Sequence, residues 1–185
     1  MKTDHLMWKE DGWGYLPANK DVFHTFEWIR HHYKPTKILE IGFYAGHSTT
    51  YMAQIFKEAH ITSCCPDHPR GRAYGEVVMN TFDNVTVHLT PSPEIYDRLK
   101  GETFDFVFID GNHTLAQVKI DTDVAIKFGA RCVLYDNTEL PQVRRGIWGE
   151  IGKNRLKMIR KFPYRTNFKK GGVNEMRFLE VLDNQ

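Results

Sequence analysis

The chain has 185 residues, with 25 Lys and Arg against 23 Asp and Glu, a formal net charge of +2. That length suits a single domain with its own core, and so even a charge balance argues against a polyanion or a membrane surface as the main partner. No apolar run approaches the roughly 20 residues that span a bilayer, and the polar, aromatic start MKTDHLMWKEDGWGYLP carries no apolar signal core. Three cysteines, Cys64, Cys65 and Cys132, lie in or beside apolar strand candidates. An odd count with one adjacent pair is a poor disulfide framework, so buried free thiols and a cytoplasmic location are expected. One domain over residues 1–185 is expected, with neither repeat nor linker.

Residues 1–19 read as an irregular aromatic arm holding Trp8, Trp13 and Tyr15. Val22, Phe26, Ile29 and Tyr33 then recur at helical spacing ahead of Pro35, which predicts a helix over 20–33. A strand from Lys37 to Ile41, the turn GFYAG and a helix from His47 to Ala59 follow, the helix with Met52, Ile55, Phe56 and Ala59 on one face. His60 to Cys64 is a short buried strand, and a turn rich in Pro and Gly leads to a helix around Tyr74 to Asn80. Val85 to Leu89 is a third strand and Pro93 to Leu99 a short helix. The run FDFVFI, Phe104 to Ile109, has the near-continuous apolar character of a central parallel strand covered on both faces. Leu115 to Phe128 is helical with Gly129 at a C′ position, and Arg131 to Tyr135 is a fifth strand. Glu139 to Trp148 reads as a variable connection. Lys157 to Phe162 and Val173 to Leu182 are two strands joined by a basic loop, suited to an antiparallel edge. The alternation implies right-handed βαβ units and a doubly wound, mostly parallel α/β sheet.

Chemistry concentrates where strands pass into helices, the edge at which open α/β sheets bind ligands. In EIGFYAGHS, Gly42 and Gly46 remove side chains where backbone must approach a ligand, Ser48 adds a hydroxyl, and Glu40 offers an acceptor for an ammonium or hydroxyl group. A generic strand–turn–helix corner is the alternative. The glycine spacing is not the G-x-G-x-x-G dinucleotide fingerprint. In FDFVFIDGNH a strand ends in Asp110, with Gly111 and His113 in the turn. In VLYDNT, Asp136 and Asn137 lie just past the fifth strand. Adjacent strands deliver their turns to one edge, so Asp110, Asp136 and Asn137 can offer three hard oxygen ligands to Mg²⁺ or Ca²⁺. A turn or helix cap before Pro141 is the alternative for Asp136-Asn137.

The first of these motifs, E-x-G-x-x-x-G, resembles motif I of class I S-adenosylmethionine-dependent methyltransferases, where the loop cradles the methionine end of the cofactor. FDFVFIDGNH is similar to the fourth-strand motif of small-molecule O-methyltransferases, and the resemblance runs from about residue 36 to residue 137. Asp110 with Asp136 and Asn137 resembles the divalent-metal site of the catechol and caffeoyl-CoA enzymes, in which the metal binds both oxygens of the acceptor. The resemblance implies a cofactor set of Glu40, Gly42, Tyr44, Gly46, Ser48, Asp110 and His113, with adenine near Thr90, Ser92 and Pro93. Tyr44 matches a tyrosine of the methionine pocket. His113 stands where the catechol enzymes carry a lysine general base, so a catalytic pair of His113 and Asp110 is implied; hydrogen-bonding of the turn is the alternative for His113. One departure is plain. The acidic residue that receives the ribose hydroxyls is replaced by Cys65, a weak acceptor, with Asp67 two residues on.

The expected activity is methyl transfer from S-adenosylmethionine to a hydroxyl of a small molecule, with or without a divalent metal, in a monomer or homodimer away from membranes. A cofactor-binding module without transfer activity is the alternative that Cys65 supports. A nucleic-acid methyltransferase is a weaker one, drawn from RRGIW, KNRLKMIRKFPYR and Lys169-Lys170, but no N-P-P-[FY]-like signature accompanies that basic surface.

Overall fold

A computed structural model describes residues 20–165 and 173–182; the aromatic arm and the basic loop lie outside the described residues. The elements run α1 (Lys20–Tyr33), β1 (Lys37–Ile41), α2 (His47–Ile55), β2 (His60–Cys64), α3 (Pro69–Thr81), β3 (Val85–His88), α4 (Ser92–Arg98), β4 (Phe106–Ile109), α5 (Leu115–Lys127), β5 (Cys132–Tyr135), α6 (Pro141–Gly152), β6 (Leu156–Arg165) and β7 (Val173–Val181). They build one seven-stranded sheet in the order β3-β2-β1-β4-β5-β7-β6. The first five strands are parallel, and β7 runs antiparallel to both β5 and β6. This is the doubly wound sheet with an antiparallel edge pair that the alternation of elements predicts. None of the described helices is long and apolar enough to cross a membrane.

Both faces of the sheet are covered, which is why its central strands are apolar throughout. Ile38, Phe106 and Phe108 join one core with Phe26 and Ile29 of α1 and Met52 of α2. Leu39, Val107 and Ile109 face the other, with Ile95 of α4, Val118 of α5 and Ile147 of α6. Phe26 meets Phe108 edge to face at 5.5 Å, a geometry that adds about 1 kcal/mol to the area buried.

Some boundaries move for local reasons. α3 starts at Pro69 rather than near Tyr74, because His68 caps it by accepting the Gly71 N–H at 3.1 Å and Pro69 tolerates the first turn. α2 stops at Ile55, and Phe56 turns away at φ −98° and ψ 59° while remaining in the core. β6 continues through Pro163 to Arg165, which an edge strand permits because one side of its backbone needs no partner. The segment from Glu139 to Trp148, expected as a connection, instead supplies most of α6.

The strand order reverses at β1, which pairs with β2 on one side and β4 on the other. The turns after β1 and β4 are pressed together there. Gly42 has φ +123°, and a Cβ on it would lie 2.1 Å from the Asp110 carbonyl oxygen. Gly42→Ala therefore combines a disfavoured backbone conformation with a clash against main chain. Urea denaturation is expected to show a loss of about 3 kcal/mol or failure to fold; a variant as stable as the parent would show that the two turns can separate.

Candidate active site at the β1 and β4 turns

Glu40 lies in β1, fully buried, and its carboxylate turns inward. Ser48 and Thr49 of α2 and Ser63 of β2 all donate hydroxyl hydrogen bonds to it. Burial nevertheless outweighs those donors and raises its pKa from 4.5 to about 7. Glu40, expected as a ligand acceptor, thus receives three internal donors. Glu40 ties the first turn of α2 to β1 and β2, and Ser48 is spent on the same task. The loop between them is held by Gly42 and Phe43, whose N–H groups both bond the Cys64 carbonyl, at 2.9 and 3.1 Å. Gly46, at φ +78°, precedes α2 without a side-chain cap, so no side chain of the cap residue offsets the positive end of the helix dipole. Any Cβ at Gly46 would press on the Phe43 ring at 2.8 Å. His47, next in the chain, is kept neutral by burial, which lowers its pKa to about 4.

At the end of β2, Cys65 is buried and its thiol is pushed up to about 11, chiefly by loss of solvent. Its sulfur lies 3.7 Å from Nε2 of His68. Because Nδ1 of that ring accepts the Gly71 N–H, the neutral ring carries its proton on Nε2, facing the sulfur. His68 stacks on Tyr44 with centroids 5.5 Å apart, and Arg70 donates to the Tyr44 hydroxyl at 2.6 Å. Asp67 is exposed and engaged by Arg72 through two contacts of 2.7 and 2.5 Å. Asp67, named with Cys65 for the ribose end, is thus paired with Arg72.

The turns after β4 and β5 continue the sheet ladder by one step. The Asp110 N–H bonds the Ile41 carbonyl at 2.8 Å and the Asp136 N–H bonds the Ile109 carbonyl at 3.0 Å. The two carboxylates consequently project at the same edge. Desolvation raises the pKa of Asp110, partly offset by His113. Asp136 is raised well above its ordinary range by burial first and by the charge of Asp110 second. His113 brings Nε2 to 3.7 Å from Asp110 Oδ1, an ion-pair distance too long for a hydrogen bond. Asn137 adopts φ +51° and its side-chain N–H faces Glu139 at 3.5 Å. Beside His113 lies a cleft of about 480 Å³ lined by Asn112, Thr114, Leu140, Pro141 and Gln142.

A model of the family described as "Methyltransferase domain" matches residues 39–132, half of the chain. The chain belongs to this methyltransferase family. Solved structures agree on the class I methyltransferase fold. The O-methyltransferase from Bacillus cereus, solved in complex with SAH, is 18% identical with a TM-score of 0.72, covering 91% of this chain and 83% of its own. The O-methyltransferase TomG from Streptomyces achromogenes, involved in tomaymycin synthesis and solved with SAM, is 17% identical with a TM-score of 0.69, covering 92% and 82%. The SAH-bound methyltransferase PaMTH1 from Podospora anserina is 19% identical with a TM-score of 0.63, covering 87% and 78%. No curated protein matches the sequence.

In this methyltransferase domain, Gly42, Tyr44, Gly46, Asp110, His113, Asp136 and Asn137 come to one sheet edge, while Glu40 and Ser48 sit behind it. Ser92, expected near adenine, is buried and donates to Asp121, which also receives Gln117 at 2.8 Å. Asp121 itself escapes sequence reading because it sits mid-helix in an ordinary amphipathic pattern; only its place on an otherwise apolar face hints at it. Its Oδ2 has no hydrogen-bond partner among the described residues and lies 3.3 Å from the position of a Cβ on Gly111. Tyr164, whose hydroxyl meets Asp136 at 2.7 Å, has no motif to mark it.

The raised Glu40 pKa has a signed consequence. Folding favours the protonated form, so the native state holds more protons than the unfolded chain between pH 4.5 and about 7. The associated stability is present below that window and is lost as pH rises through it, about 3 kcal/mol in all. Glu40→Gln should remove this slope from a series of urea melts at pH 5, 6 and 7. A slope identical to the parent's would assign it to other groups.

Proposed function

We propose that this chain transfers a methyl group from S-adenosylmethionine to a hydroxyl of a small molecule at the edge where β1 and β4 end. The observation that carries the proposal is the contact of Gly42 with the Asp110 main chain, because it gives the two diagnostic turns one shared rim. S-adenosylmethionine supplies an electrophilic methyl on a sulfonium that leaves as a neutral thioether. The start of α2 suits its carboxylate, and Asp110 suits its ammonium group. The ribose end fits less well, because Cys65 offers a weak acceptor and Asp67 is held by Arg72.

The protein's tasks are alignment and proton removal. His113 borders both Asp110 and the open cleft, the place for an acceptor hydroxyl, and takes the proton lost as the new O–C bond forms and the C–S bond breaks. Asp110 steadies the imidazolium that results. The donor set at this edge also suits a hard divalent cation: two carboxylates coupled by charge, without a Lys or Arg ion pair among the described residues, with Asn137 next in the chain to one of them. A cation held by Asp110, Asp136 and Asn137 would lower the acceptor's pKa and fix its oxygen. Among the described residues no third His, Cys, Asp or Glu completes a larger cluster, so Asn137 and solvent would fill the remaining positions.

Calorimetric titration with S-adenosylhomocysteine should show one site per chain, and label from S-adenosylmethionine should reach a catechol-type acceptor. Binding without turnover across a panel of hydroxyl acceptors would favour the non-transferring module that Cys65 supports; absence of binding would overturn both readings. His113→Ala should lower kcat about 100-fold with S-adenosylhomocysteine affinity unchanged. Asp136→Ala should abolish the chelator-sensitive part of the activity and likewise spare that affinity. Activity equally high in chelator before the substitution would remove the cation from the mechanism.

A further inference from the structure

The terminal hairpin reaches the Asp136 turn from the side opposite the motifs. β6 and β7 pair so that Tyr164 stands opposite Asn174. The Tyr164 hydroxyl, in a side chain only 3% exposed, donates to Asp136 Oδ1 at 2.7 Å and accepts from the Asn174 amide at 3.3 Å. The same hairpin grips the backbone of the turn. Thr138 donates its N–H to the Glu175 carbonyl at 2.8 Å, and the Glu175 N–H returns to Glu139 at 2.9 Å. Arg177, itself buried, fixes the Glu175 carboxylate at 2.6 Å.

We propose that Tyr164 is a positioning residue that occupies one oxygen of Asp136 and thereby aims the other, with Asp110, at a divalent cation. The inference rests on the cation reading above. A ligating carboxylate with both oxygens unconstrained rotates about its last torsion. A buried donor on Oδ1 stops that rotation, the Asn137 N–H donates to the same carboxylate, and the cation is left to bind through Oδ2. Hydrogen bonds of this kind, one shell behind the ligands, set metal affinity by factors of about 10 to 100. Asn174 orients the phenol in turn by donating to its oxygen, so the hydroxyl hydrogen is directed to Asp136.

The test is Mn²⁺ binding to the full chain, read by the loss of the free-ion paramagnetic resonance signal, beside calorimetric binding of S-adenosylhomocysteine. Tyr164→Phe keeps the ring in the core and should weaken Mn²⁺ at least 10-fold with S-adenosylhomocysteine affinity unchanged. Asn174→Ala should weaken Mn²⁺ in the same direction by less. If the parent takes up no Mn²⁺, the cation reading fails and this inference with it. If the parent binds Mn²⁺ and Tyr164→Phe binds it equally well or more tightly, the positioning role alone is overturned. A parallel loss of S-adenosylhomocysteine affinity would mark a general loosening and would overturn it too.

Discussion

At the end of β1 the main chain runs so near the Asp110 carbonyl that even one methyl group on Gly42 would stand 2.1 Å from its oxygen. The rest of the site takes its geometry from this approach. The Ile41 carbonyl receives the Asp110 N–H at 2.8 Å, so the two turns are joined by a hydrogen bond as well as by contact. Asp136 is placed in the same way from β4, one strand further on. Positions on three consecutive strands are thus fixed by main-chain ladders, which vary far less than side-chain packing.

At and behind this rim lie four acidic groups whose neighbours set their different tasks. Glu40 is surrounded by hydroxyls, and Asp121 by Ser92 and Gln117. Both are neutral-donor sites, Glu40 tying α2 to β1 and β2 and Asp121 tying α5 to α4, and burial dominates their pKa values. Asp110 and Asp136 instead adjoin each other, and the charge of one raises the other. Such a pair is costly to keep doubly ionised without a proton or cation between its members. The distinction between structural and chemical carboxylates is therefore one of partners, since desolvation is the leading influence on all four.

Much of the fold was legible in the sequence because the buried strands are short, apolar and punctuated by Gly and Pro. β1 and β2 fall where their patterns place them. α6 was not legible: it opens at Pro141 with no side-chain cap and carries Gly146, Gly149 and Gly152, all poor helix formers. Its helicity comes from packing, with Val143 and Ile147 buried and Val118 filling the space that a Cβ at Gly146 would need. At the site, residues on contiguous motifs could be named in advance. Ser63 and Tyr164 could not, because each meets its carboxylate across more than 20 residues of chain, at separations of 23 and 28. The inward turn of Glu40 was hidden for the same reason.

The strand order also bears on how the molecule is made. β7 lies between β5 and β6 although it is the last of the three to be synthesised. Until residues 173–181 leave the ribosome, β5 presents an open edge and β6 has no neighbour to receive it. Long-range insertion of this kind is slow and leaves a template for mispairing with other chains. The basic residues Lys157, Arg160 and Lys161 along the waiting strand repel a second copy of themselves, so β6 is guarded by charge during the interval in which it is unpaired.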